Sequence, residues 1–392
     1  MPAPTKAGLA KKAAIVAAAT LAEKIRRPVP RTRDDVPRNG TELTREWLQD
    51  VLCAGTPGAR VESFEIIPGT SQTTTRAAVR VRYNDAGEAA GLPTKLFTKS
   101  TTGFSQRLLL GGAGMLEGET TFYAKLRPRI EMEAPQGYWG GVDPVSWRSM
   151  ILMEDIAETR GATFVEPLTP LTSGQIDDVV VALANCHGAM WEAPELRTMK
   201  TTRDHLDNVS GFVDMDKSCA RGIAKAGDLV SQGVRGQANR LWLGTTKALT
   251  RLTTDDPHTL LHGDPHVGQV YLTREGRAGL TDWQSIMAGG WGYDFGYFVG
   301  TACTPEERRE RERELLGLYL TALDEAGGKA PAFDDAWLTY RQNLCYPCTA
   351  WSFAYGRAFY QPEMQPDDAC REMIRRLTIA VDELKTFDAL GV

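Results

Sequence analysis

Residues 259–284, Thr-Leu-Leu-His-Gly-Asp-Pro-His-Val-Gly-Gln-Val-Tyr-Leu-Thr-Arg-Glu-Gly-Arg-Ala-Gly-Leu-Thr-Asp-Trp-Gln, restrict the fold more than any other stretch of the chain. An apolar strand runs into a tight polar loop that holds His262, Asp264 and Gln269. A hairpin turning at Arg274-Glu-Gly-Arg277 then returns Leu280-Thr-Asp282 alongside Gln269-Val-Tyr271. Two carboxylates, Asp264 and Asp282, are thereby predicted at one edge of a cleft. Gly-Asp also occurs in plain turns, and an aspartate often caps a helix. Four chemically matched positions at matching spacing outweigh that simpler reading.

A carboxylate five residues ahead of an amide, with a further aspartate downstream, suits phosphoryl transfer. Kinase catalytic loops have the form H-x-D-x-x-x-x-N, with the aspartate of D-F-G after it. Here the interval matches and Gln269 takes the place of asparagine. The transition state of that reaction is loose, so a protein mainly positions groups and neutralises charge. One carboxylate takes a proton from the acceptor hydroxyl, while oxygen ligands hold Mg²⁺ against the phosphates.

The stretch resembles the aminoglycoside phosphotransferase and choline kinase superfamily, whose signature is H-G-D-x-H-x-x-N followed by an aspartate on the next strand. Asp282-Trp283-Gln284 resembles the ecdysteroid-kinase-like branch, where D-F-Q or D-W-Q stands in that place. The likeness extends from about residue 41 to the C-terminus. It implies an α+β, two-lobed protein-kinase-like fold with a small antiparallel-sheet N-lobe and a larger, mainly helical C-lobe. The implied division is an N-terminal helix and linker over 1–40, a nucleotide-binding lobe over 41–155, and a lobe with the catalytic loop and acceptor-binding helices over 156–392. It also implies ATP and Mg²⁺ as cofactors, Asp264 as base, and Gln269 with Asp282 as metal ligands. Gln269 departs from the family's amide.

The rest of the chain supplies further candidates. Thr44 caps a short helix through Leu52. Arg60–Ile67 and Ala77–Tyr83 alternate as strands around a polar 68–76 loop. Its small residues Gly69, Thr70 and Ser71 would let backbone N–H groups approach phosphate oxygens. Lys95–Ser100 reads as a strand. Lys99 and Lys95 share a face, so periodicity does not separate them; Lys99, after Leu96-Phe97, fits the family's phosphate-orienting lysine. Glu119, shortly before Phe122-Tyr123, fits its helix partner, with Glu117 as rival. Trp147–Ile156 reads as a buried strand with acidic exit residues and resembles the family's strand and hinge, which implies Met153, Glu154 and Ile156 beside adenine. Capping boxes open helices at Thr172 and Thr304. His187 reads as a satisfied core histidine, and Asp294 resembles the family's aspartate that ties the catalytic loop through backbone hydrogen bonds.

Composition excludes some classes. With 392 residues, 42% hydrophobic and 24% charged, the chain can bury a large core. Net charge −5 and a pI near 5.7 give no nucleic-acid footprint. No apolar run reaches the ~18–20 residues of a membrane span. Lys11-Lys12 and the alanine run after them loosely mimic a signal peptide. Because Glu23, Lys24, Arg26 and Arg27 follow at once, a frayed or docking helix is expected. Seven cysteines, an odd number, point to a reducing compartment and a cytoplasmic location. Cys345 and Cys348 lack a second ligand pair for zinc and read as packing residues.

The acceptor is the least constrained element. Trp337, Tyr340, Tyr346, Trp351, Phe353, Tyr355, Phe359 and Tyr360 make the C-terminal third aromatic, by default for packing. Asp204, Asp207, Asp214 and Asp216 are interspersed with Arg203, Lys217 and Arg221, which does not make the acidic pocket a polycation requires. A small hydroxylated metabolite is expected, with lipid or steroid-like alcohols ahead of aminoglycosides. The alternative is a nucleotide-binding pseudokinase that serves as a regulatory or scaffold module.

Overall fold

The computed structural model describes residues 6–71, 74–358 and 363–392. Helices α1 (Lys6–Arg26) and α2 (Arg45–Leu52) precede strands β1 (Val61–Ser71) and β2 (Thr75–Tyr83), helix α3 (Asp85–Ala89) and strand β3 (Lys95–Ser100). Helices α4 (Phe104–Gly112) and α5 (Leu116–Thr121) continue through a π-helical turn, Phe122–Leu126, towards β4 (Gly137–Asp143) and β5 (Arg148–Glu154). The five strands form one antiparallel sheet in the order β1-β2-β3-β5-β4. Alternation buries Val79, Val81, Leu96, Met150 and Leu152 against Trp47 and Leu48 of α2. The Thr44 hydroxyl accepts the Trp47 N–H at 3.1 Å, the cap its position predicts.

One local expectation differs from what is observed. The polar 68–76 segment is mostly strand, since β1 runs to Ser71 and β2 starts at Thr75. Threonine-rich sequence favours an extended chain, and β1 is an edge strand that tolerates Pro68. Gln72 and Thr73 of the expected loop lie outside the described residues. The 28–40 segment, read as linker, has no helix or strand, and two indoles hold it to the sheet region: Trp139 and Trp47 donate to the carbonyls of Arg33 (2.8 Å) and Asp35 (3.0 Å). Helix α1 docks beside α4 through Glu23, which pairs with the buried Arg107 (2.6 Å) and with Arg148 (3.1 Å).

Beyond β5 the chain is mainly helical. It comprises α6 (Ile156–Thr159), β6 (Thr163–Phe164), α7 (Ser173–Ala189), α8 (Thr202–Phe212), α9 (Met215–Ala226), α10 (Ala238–Thr254) and β7 (Thr259–Leu261). Strands β8 (Val270–Leu272), β9 (Ala278–Leu280) and β10 (Met287–Gly289) follow, then α11 (Gly292–Ala302), α12 (Pro305–Glu325), α13 (Phe333–Gln342), α14 (Cys345–Tyr355), α15 (Asp367–Glu383) and α16 (Thr386–Leu390). Both predicted capping boxes form, at Thr172 and Thr304. Tyr340, Tyr346, Trp351 and Tyr355 are buried in the helical core, which Trp337 and Phe353 flank. Phe359 and Tyr360 lie outside the described residues. All seven cysteines are free and buried. None of the described helices is long and apolar enough to cross a membrane.

Candidate active site

The loop after β7 is built on one glycine and one buried acid. Gly263 has φ +86°, and a Cβ there would lie 2.4 Å from the Ser285 carbonyl oxygen, so a side chain is excluded. Asp294, on α11, is fully buried. Its carboxylate accepts the N–H groups of His262 (2.6 Å) and Gly263 (3.0 Å), and His187 Nε2 lies 3.1 Å away. His187 is itself fully buried, with the Tyr319 hydroxyl at Nδ1 (2.5 Å). His262 accepts the Asp264 N–H at Nδ1 (3.3 Å) and pairs through Nε2 with the Thr281 carbonyl (2.9 Å). The loop is thus bonded to the residue beside Asp282. Asp264 keeps a side chain 32% exposed, with Oδ1 accepting the Tyr297 hydroxyl at 2.7 Å.

The β8–β9 hairpin forms with Val270 opposite Leu280 and Gly276 at φ +82° in its turn. The Thr281 N–H reaches the Gln269 carbonyl at 2.9 Å. Asp282 follows at φ +60°, a left-handed conformation uncommon for a side-chain-bearing residue. Its Oδ1 lies 3.0 Å from Lys99 Nζ, and Lys99 also reaches Glu119 Oε2 at 2.9 Å. Lys95 instead points outward to Glu158 at 3.5 Å.

Burial works against every charge in this triad. Burial lowers the Lys99 pKa, but the Asp282 and Glu119 carboxylates outweigh it and hold the ammonium above its ordinary value. Burial lifts Glu119 above the usual carboxylate range; Lys99 opposes this and the Asp282 charge adds to it. Burial also pushes Asp282 upward, yet Lys99 prevails and holds it below the ordinary value.

Two packing contacts bring Glu119 to Asp282. A Cβ on Gly118 would lie 2.1 Å from the Gln284 carbonyl oxygen, so α5 lies directly on the Asp282-Trp283-Gln284 backbone. Trp283 is fully buried and stacks on Phe122, with centroids 3.9 Å apart and planes 3° from parallel. Its ring also meets His262 at 4.6 Å. The aromatic after Asp282 therefore joins the π turn after α5 to the loop after β7.

The other predicted residues are placed less closely together. Gly69, Thr70 and Ser71 are exposed at the end of β1. Ser71 pairs with Thr75, which pairs with Ser100, one residue beyond Lys99. The Gln269 amide lies 3.5 Å from His266 Nε2, while His266 Nδ1 accepts the Gly268 N–H at 3.0 Å. Burial lowers the His266 pKa against the pull of Asp264 and Asp282, whose charges both reach this ring. At the hinge, the N–H groups of Glu154 and Asp155 are bonded to the carbonyls of Gln136 (2.8 Å) and Lys95 (3.2 Å). The Glu154 side chain is locked to Arg160 (2.5 Å). Met153 is half-buried and Ile156 buried.

Sequence reasoning overlooked Arg76 and Tyr297. Arg76 lies opposite Lys99 in the β2–β3 register, and its charge reaches both Glu119 and Asp282. Extending the 77–83 alternation by one residue would have placed it there. Tyr297 lies three residues after Asp294, one helical turn, a spacing that turns both towards the same loop.

The model of the phosphotransferase enzyme family, APH, matches residues 111–330. That is more than half of the chain, and the chain belongs to this family. The matched stretch contains Asp264, Gln269, Asp282 and Asp294, whereas Lys99 and the β1–β2 hairpin precede it. No curated protein matches the sequence. Among solved structures, the chain is similar to choline kinase LicA from Streptococcus pneumoniae, at 12% identity over 82% of this chain and 94% of that one, with a TM-score of 0.42. An ethanolamine kinase from Plasmodium vivax has 10% identity over 92% of each chain and a TM-score of 0.44. Macrolide 2′-phosphotransferase MphH from Brachybacterium faecium has 15% identity over 78% of this chain and 89% of that one, with a TM-score of 0.41.

Proposed function

We propose that the chain transfers the γ-phosphate of ATP to the hydroxyl of a small molecule, with a lipophilic or steroid-like alcohol favoured over an aminoglycoside. The observation that carries this reading is the Lys99 ammonium held between Glu119 and Asp282, next to a loop that presents the partly exposed Asp264. In the proposed roles, Asp264 accepts the proton of the acceptor hydroxyl, Lys99 orients the phosphates and Glu119 positions Lys99. Gly69, Thr70 and Ser71 cover the phosphates, with Met153, Glu154 and Ile156 beside the base. Since the N–H groups of Glu154 and Asp155 are engaged among the described residues, adenine is assigned to the N–H groups of the first turn of α6, which opens at Ile156.

Asp282 and Gln269 suit Mg²⁺, because that ion takes one or two protein oxygens and completes its shell with phosphate and water. Bound there, it would neutralise charge on the phosphates. The acids near α8 favour an uncharged acceptor: Asp207 pairs with Arg203, Asp214 with Lys217, and Asp204 with the Thr201 cap. The Asp-Trp-Gln resemblance to the ecdysteroid-kinase-like branch supports the same direction.

A second reading, a nucleotide-binding module without transfer, is motivated by Gln269. Its extra methylene shifts the amide by roughly 1.5 Å relative to asparagine, and that amide already has His266 as a neighbour. Phosphate transfer to a panel of lipid, steroid and aminoglycoside alcohols decides between them. Asp264→Asn should abolish turnover with ATP binding nearly intact, and Asp282→Ala should weaken Mg²⁺-dependent nucleotide binding. A wild-type protein that binds ATP without Mg²⁺ and phosphorylates nothing in the panel supports the second reading.

A further inference from the structure

We propose that Tyr297 is a positioning residue for Asp264, holding one carboxylate oxygen so that the other faces the acceptor hydroxyl. The inference rests on the reading of Asp264 as the base. A carboxylate turns about a broad, two-fold terminal torsion, so an aspartate on a loop does not by itself keep one oxygen in place. Here the Tyr297 hydroxyl donates to Oδ1 at 2.7 Å, within the range of O–H···O⁻ bonds, which are about twice as strong as neutral ones. Among the described residues no hydrogen bond reaches Oδ2, and His266 Nε2 lies 3.7 Å from it, beyond hydrogen-bond length. The two oxygens are therefore unequal, one tied to a buried phenol and the other available.

The phenol has little freedom of its own. Tyr297 is 3% exposed and packs against Tyr293 and Tyr346. Burial first, and the Asp264 charge after it, push its pKa well above the ordinary value, so it stays a donor at any working pH. It also belongs to the helix that grips the same loop by its backbone. Tyr293 donates to the Gly263 carbonyl at 3.0 Å, and Asp294 accepts the His262 and Gly263 N–H groups. Residues 293, 294 and 297 are thus a single clamp on α11: two fix the backbone of the loop and the third fixes the reactive side chain.

The test uses the full chain. In protein labelled with ¹³C-tyrosine, Tyr297 should give a low-field hydroxyl proton resonance that is absent in Tyr297→Phe and moves upfield in Asp264→Asn. With the acceptor found in the alcohol panel, Tyr297→Phe should lower kcat about 10–100-fold, as a misplaced catalytic group does, with KM for Mg·ATP within about twofold and the thermal midpoint little changed. A resonance indifferent to Asp264→Asn, or an unchanged kcat in Tyr297→Phe, overturns the inference. Full turnover by Asp264→Asn removes the base reading instead, and leaves the hydroxyl signal to report the clamp separately.

Discussion

Asp294 reacts with nothing in the proposed chemistry, yet it holds the backbone that carries Asp264. Its two oxygens receive two N–H groups of consecutive residues, and His187 stands behind them. An amide in its place offers one acceptor oxygen and turns an NH₂ towards one of those donors. Asp294→Asn should therefore cost about 1–3 kcal/mol, the penalty for leaving a buried donor unpaired. Urea unfolding of the variant should show a lower midpoint, and kcat should fall with it as the loop loosens. An unchanged midpoint would mean that the loop is held by something else. The loop and hairpin that carry Asp264, Gln269 and Asp282 were legible because strand, turn and hairpin are written within a single stretch. Lys99 could be told from Lys95 only by resemblance, since strand periodicity puts both on one face; the contacts separate them, one buried in the triad and one on the surface with Glu158. Tyr297 was hidden for another reason. An aromatic residue in an apolar helix packs by default, and only the path of the loop shows where its hydroxyl ends.

At the scale of elements, the critical approach is that of α5 to the Asp282-Trp283-Gln284 segment. Nothing but hydrogen fits between Gly118 and the Gln284 carbonyl, where a Cβ would lie at 2.1 Å. Neither side yields easily, because Trp283 is wedged on Phe122 and His262. Gly118→Ala should push α5 outward, carrying Glu119 away from Lys99. The expected result is a destabilisation of about 1–3 kcal/mol, as for overpacking in a core, together with a fall in kcat of about 10-fold or more. Thermal unfolding with steady-state kinetics would check this, and a variant with wild-type kcat would disprove the close-approach argument. Strand β3 and helices α2, α7 and α12 were legible because alternation, caps and apolar spacing are local. The extension of β1 to Ser71 was not, since its partner residues come from β2 and outvoted the loop character of Pro-Gly-Thr-Ser. The π turn at Phe122–Leu126 has no local marker either; it lies where Phe122 stacks on Trp283.

Over the whole molecule, the division into an antiparallel sheet and a helical region was implied by the resemblance of the 259–284 stretch, and the alternating segments before residue 100 agree with it. How α1 and the 28–40 segment dock could not be read, because Glu23 meets partners 84 and 125 residues away. Histidine burial is another property set by the assembled fold. Four of the five histidines, His187, His205, His262 and His266, are buried. Burial, with the Lys200 charge adding to it, lowers the His205 pKa from 6.5 to about 3. Between those values the unfolded chain binds a proton at this site that the folded chain refuses, so stability falls as pH drops below about 6.5 and the loss stops near 3. In that interval His205 contributes a slope on the order of 1.4 kcal/mol per pH unit, and His266, also lowered, adds in the same direction. Acid sensitivity should thus begin above pH 5, before the carboxylates titrate. In His205→Gln the amide can still meet the Tyr346 hydroxyl, the histidine's partner at 2.9 Å, but cannot take up the proton. Urea midpoints measured at pH 7, 6 and 5 should decline less steeply in that variant than in the wild type. Parallel declines would show that His205 charges without cost in the folded state, and that its burial does not govern the acid limit of the fold.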